Sequence, residues 1–63
     1  MNDIQFQKPH TNIFAFVKWD GATFFVEVVS YDVETEENET LYKREFNIES
    51  FALWLKNEGF KVS

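Results

Sequence analysis

The side chains here with the clearest chemical potential are the acids of Asp32-Val33-Glu34-Thr35-Glu36-Glu37-Asn38-Glu39, five carboxylates with no base among them. Acids at this spacing have three uses: an acid/base pair, a hard-cation site, or a charged docking surface. General-acid work needs one carboxyl in a desolvated pocket, and a 63-residue chain has little room for one. Calcium loops take ligands at alternate positions, as Asp32, Glu34 and Glu36 would supply. Here, however, Glu37 stands where the turn glycine belongs and Lys43 where the bidentate Glu belongs. That leaves the docking surface. If this stretch runs as a strand, Asp32, Glu34 and Glu36 project from one face about 6.7 Å apart, with Glu37 and Glu39 close by. Such a ridge fits a basic partner, including the groove of a nucleic-acid-binding protein. It equally fits a solvated hairpin tip whose charge keeps an edge from aggregating.

Other reactive groups are scarce. The chain has no Cys, and Ser30, Ser50 and Ser63 lack a Gly-x-Ser-x-Gly setting. Gly21 and Gly59 are its two glycines, and neither belongs to a phosphate-cradling loop. His10 sits beside Pro9 in a polar stretch and reads as a solvated loop residue rather than a general base. We expect a non-enzyme with no cofactor and no metal.

Composition narrows the partners. Eleven acids against six bases leave a net charge of −5. That balance opposes phosphate-driven binding to nucleic acid and to anionic membranes. Aromatics interleaved with Lys18, Lys43 and Arg44 offer a stacking platform for single-stranded bases, but the overall charge works against it, so this is the weakest of the binding readings. The longest apolar stretch, Phe24 to Val29, is broken by Glu27 and falls far short of a bilayer span. Met1 to Gln5 carries neither a basic nor an apolar leader region, which makes a cytoplasmic location the expectation. Small acidic chains of this kind are common among phage and mobile-element products, an analogy of size and charge only.

The elements that must position these groups are marked locally. Ile13–Trp19 and Ala22–Tyr31 are β-branched and aromatic runs on either side of Asp20-Gly21, a pair suited to a two-residue type I′ turn. That turn sets Val17 opposite Phe24 and Ala15 opposite Val26. A second hairpin, turning near Glu37-Asn38, returns as Thr40–Phe46 and sets Asp32 opposite Lys43. Asn47 is a good N-cap and Gly59 a good C′ residue. Between them Ile48, Phe51, Ala52, Trp54 and Leu55 form one helical stripe, with Phe46 and Phe51 placed as a hydrophobic staple. Residues 1–12 read as loosely ordered, with room for a short fourth strand at Ile4–Phe6. The expectation is a single α+β domain over 1–63: a three-stranded antiparallel meander, that optional fourth strand, and one C-terminal helix packed on one face.

One such helix covers one sheet face. With it on Ala15, Val17, Val26 and Val28, the aromatic face of Phe14, Phe16, Phe25, Val29 and Tyr31 is left toward solvent. Large apolar side chains are worth roughly 1.5–3 kcal/mol each when buried, so such a face must be closed by something. The candidates are residues 1–12 folding back, a second copy, or another protein. We therefore expect a small acidic protein-binding module, a regulator or inhibitor of a basic protein. The alternative is an accessory subunit or homodimer docked through the aromatic face.

Overall fold

The computed structural model describes residues 2–62. In chain order the elements are β1 (Asn2–Gln7), β2 (Ile13–Trp19), β3 (Phe24–Asp32), β4 (Glu37–Phe46), α1 (Ile48–Glu58) and β5 (Lys61–Val62). The architecture is α+β, an antiparallel sheet with one helix on one face. Among the described residues the sheet has five strands rather than three or four, in the order β4-β3-β2-β1-β5.

Residues 2–7 are not loosely ordered. They form a full strand against β2, with Ile4 opposite Val17 and Phe6 opposite Ala15. Their period of two, apolar Ile4 and Phe6 between polar Asp3, Gln5 and Gln7, is that of a strand with one buried face. A tight link follows: Thr11 N–H donates to the Lys8 carbonyl across Pro9-His10, and His10 has φ 63°. Proline followed by a positive φ is the signature of a type II turn. Asn12 then bonds Tyr31 through both backbone and side chain, which ties this link to β3.

Both hairpin registers differ from expectation. The β2–β3 loop has four residues, 20–23, so Trp19 faces Phe24, Val17 faces Val26 and Ala15 faces Val28. Asp20 is the cause: its Oδ1 accepts from the N–H of Ala22 at 2.9 Å and of Thr23 at 2.8 Å, which widens the turn. Because the shift is two residues, every side chain keeps its expected face. The second hairpin turns earlier than expected, over 33–36, and Asp32 faces Glu37 rather than Lys43, which lies opposite Glu27. Here too an aspartate builds the turn. Asp32 Oδ1 accepts from Glu34 N–H at 2.9 Å, and the Asp32 carbonyl accepts from Glu36, whose φ is 59°. A bulge at Leu41 interrupts the β3–β4 ladder between Val28 and Val29.

Helix α1 has the expected caps. Asn47 Oδ1 accepts from Ser50 N–H at 2.8 Å. Gly59 is left-handed, and Phe60 N–H donates to the Leu55 carbonyl as a Schellman end requires. The staple also forms, with the Phe46 and Phe51 rings 6.4 Å apart. The buried stripe is narrower than the pattern implied: Phe51 and Trp54 are buried and Leu55 is half-buried, but Ala52 is exposed and Ile48 is 63% exposed. Within the first turn it is Phe51 that reaches the core, against Phe24 and Phe6, and Ile48 is left to solvent.

The core lies between α1 and one face of the sheet, built from Phe6, Ala15, Val17, Val26, Val28, Phe51, Trp54 and Phe60. Ring contacts line it: Trp19 lies tilted on Phe24 at its margin, Phe24 stacks on Phe51, and Trp54 stacks on Phe60. An 11-residue helix is about 16 Å long, close to the roughly 14 Å between β4 and β1, so α1 leaves one sheet edge and delivers the chain to the other. There β5 pairs with β1, and Lys8 reaches Glu58 at 3.8 Å near the helix end.

Candidate protein-interaction face

The opposite sheet face is the candidate site, and its layout follows from the ladders. One row across the sheet runs Gln7, Phe14, Val29, Thr40. The next runs Gln5, Phe16, Glu27, Lys43, and the third Asp3, Lys18, Phe25, Glu45. Tyr31 and Asn38 pair beyond the first row. Among the described residues no element packs on this face. In particular residues 2–7 lie beside it as a strand and extend it, so they do not fold over it.

Of the five expected aromatic-face residues, four are accessible. Phe16 is 38% and Phe25 is 40% exposed, while Phe14 and Tyr31 are half-buried. Val29 corrects the expectation. It is 3% exposed, flanked in the sheet by Phe14 and Thr40, and outside the helix-side core. Its side chain is covered rather than left toward solvent.

Polar groups interleave with the rings. Thr40 Oγ1 donates to Glu27 Oε2 at 2.7 Å, holding that carboxylate across the β3–β4 ladder. A shallow groove is lined by Phe16, Phe25, Lys18, Glu27, Lys43 and Glu45. It sets two aromatic rings beside cations and carboxylates, the mixture found in protein contacts. Gln5, Gln7 and Thr40 join this face beyond the expected residues, and Lys43 lies on it among the aromatics, whereas Arg44 takes the other side. The alternation in residues 3–7 carried the signal for the two glutamines. Nothing local placed Thr40 and Lys43, because the bulge at Leu41 changes which residues of β4 share a side.

The five acids do not form one ridge. Asp32 is spent on the turn, its carboxylate accepting from Glu34 and Thr35 backbone N–H groups. Glu34 and Glu36 lie in the turn itself, not on a strand. Glu37 and Glu39 are on β4, opposite Asp32 and Ser30, and therefore point to the helix-bearing side of the sheet. The structure thus separates the acidic tip from the aromatic face by sheet side, although both belong to the β3–β4 hairpin. Outside these five acids the remaining six acids match the six bases, so the whole net charge of −5 resides in this one exposed tip.

The acidity of Asp20 is shifted. Its carboxylate accepts from Thr23 and then Ala22 backbone N–H groups, and these bonds hold its pKa below the usual 3.8. That is turn chemistry, remote from the open face. Among the described residues no set of three or more His, Asp or Glu side chains is arranged to hold a metal ion, and no helix is long and apolar enough to cross a membrane.

Comparison with protein-family models, with curated proteins and with solved structures returns no match.

Proposed function

We propose that this chain is a small acidic, non-catalytic protein-binding module that regulates or inhibits a basic protein. The observation that carries the reading is the open sheet face, where Phe16 and Phe25 remain 38% and 40% exposed on a side that no described element covers. Rigid aromatic rings at the centre of a polar surround are the usual energetic anchors of an interface. The tip contributes differently. Its concentrated negative charge steers a basic partner during encounter, an effect on association rate more than on final affinity. A partner so held, if its basic groove binds nucleic acid, has that groove occupied.

The test uses the full chain immobilised against a panel of purified basic nucleic-acid-binding proteins. Binding lost on Phe16→Glu, and slowed by the combined Glu34→Gln, Glu36→Gln and Glu37→Gln changes or by added salt, supports the reading. Capture of a single-stranded oligonucleotide, lost on Lys18→Ala with Lys43→Ala, would replace it with a nucleic-acid role.

A second reading closes the same face with a larger assembly or a second copy. It is favoured by the mixed charge of that face, where Lys18 and Lys43 lie among Glu27 and Glu45, an arrangement that can complement itself. Its mark is association lost on Phe16→Glu or Phe25→Glu and little affected by salt.

A further inference from the structure

We propose that β4 is a dimerisation edge, pairing antiparallel with β4 of a second copy so that Glu39 of each chain meets Arg44 of the other. The sheet order leaves β4 at one end with its outer edge unpaired among the described residues, whereas the other end carries the two-residue β5. β4 is also the longest strand, ten residues, and all are exposed except half-buried Tyr42 and Phe46. Leu41, near its middle, is 46% exposed.

Charges and a bulge on an edge ordinarily keep it from pairing. Their order along β4 decides otherwise. The first half carries Glu37 and Glu39, and the second Lys43 and Arg44 together with Glu45, so a two-fold antiparallel arrangement can set Glu39 against Arg44 twice, once on each side of the axis, while Glu45 meets the neutral Asn38. Within one copy the ion pair within 4.0 Å among the described residues is Lys8 with Glu58, so Glu39 and Arg44 have no ionic partner there. Arg44 instead lies over the Tyr42 ring, 5.1 Å from its centroid.

The bulge selects the register. Opposite residues in an antiparallel pair must share a face. In β4 the residues opposite Val26, Ser30 and Asp32, namely Arg44, Glu39 and Glu37, take the helix side, while Glu45, Lys43, Thr40 and Asn38 take the open side. An unbulged strand paired about the midpoint between two residues would set opposite faces together. With Leu41 as the extra residue, pairing about the Leu41–Tyr42 midpoint matches the faces of the four flanking pairs: Glu39 with Arg44, Thr40 with Lys43, Asn38 with Glu45 and Glu37 with Phe46. All ten residues take part and no like charges meet. The two acidic tips then lie at opposite ends of the pair, about 33 Å apart, well beyond the roughly 8–10 Å screening length. The two open faces fall on the same side of one continuous sheet. This inference stands on the β4 edge and not on the open face, so either can fail without the other.

The experiment is sedimentation equilibrium of the full chain from micromolar to millimolar concentration, at low and high salt. A dimer is expected, weakened by salt. Glu39→Arg or Arg44→Glu alone should raise its dissociation constant about tenfold or more, and the double exchange Glu39→Arg/Arg44→Glu should restore it. Both positions are exposed, so circular dichroism should show each variant folded. A chain that stays monomeric throughout would overturn the proposal. So would a dimer that ignores residues 39 and 44 but dissociates on Phe16→Glu.

Discussion

The Phe24 ring, in β3, stacks on the Phe51 ring, in α1, with centroids 4.1 Å apart and planes 12° from parallel. This contact joins the first hairpin to the helix and fixes which sheet face is closed. Phe51 also meets Phe6 of β1, Phe46 of β4 and Trp54, so it is where strands from both sides of the sheet converge on the helix.

Phe51→Ala should therefore cost about 3–5 kcal/mol, enough to leave so small a domain largely unfolded. Phe25→Ala, on the open face, should cost less than about 1 kcal/mol. Urea denaturation of the two variants checks this. Equal losses would mean that the helix does not discriminate between the faces as described.

His10 and Glu36 are non-glycine residues in the left-handed region, at φ 63° and 59°. That conformation crowds Cβ against the backbone. His10→Gly and Glu36→Gly should each raise stability by up to about 1 kcal/mol, partly offset by the freedom glycine adds to the unfolded chain. The sites lie in different loops, so the gains should add. Thermal melts of the single and double variants measure both statements.

Asp20 supplies a pH dependence with a defined sign. Its folded pKa lies below the usual 3.8, because backbone N–H groups of Thr23 and Ala22 bond the ionised form. A carboxyl depressed on folding stabilises above its unfolded pKa, and that contribution disappears as pH falls through the lower folded value. Stability from Asp20 should thus be constant near neutrality and decline only below about pH 4. Asp20→Ala should remove this component, seen as a flatter acid limb in denaturation midpoint against pH.

The helix ends should respond separately. Asn47→Ala removes the acceptor of the Ser50 N–H and should cost about 1 kcal/mol. Gly59→Ala should cost a similar 1 kcal/mol or so. That cost is purely conformational, because a Cβ at Gly59 meets no atom within 4 Å. Gly59→Asn, which tolerates positive φ, should cost less than Gly59→Ala. Helical ellipticity and melting temperature report both.

How legible this protein was depends on the range of the signals. Asn47, Gly59 and the Phe46–Phe51 pair act within a few residues, so the helix and both its ends could be read directly. Side-chain parity along β2 and β3 was equally secure: the loop of 20–23 shifted the register by two, and a shift of two leaves every residue on its face. The tip acids were found as a cluster but misplaced as a ridge, because Asp32 bonds backbone two and three residues ahead and turns the chain before the strand could carry Glu34 and Glu36.

By its own composition and period, then, the sequence determined an α+β domain with an amphipathic capped helix, two hairpins, an aromatic second sheet face and an acidic tip. All of these rest on interactions between near neighbours. Tertiary structure alone decided that residues 2–7 extend the sheet instead of covering its open face, that Lys61–Val62 adds a fifth strand beside β1, and that a bulge at Leu41 resets the faces of β4. Each depends on pairing between segments distant in the chain. There the deciding terms are which backbone edge is unpaired and which apolar side chain fits beneath the helix. No window of a few residues contains both partners of such a choice.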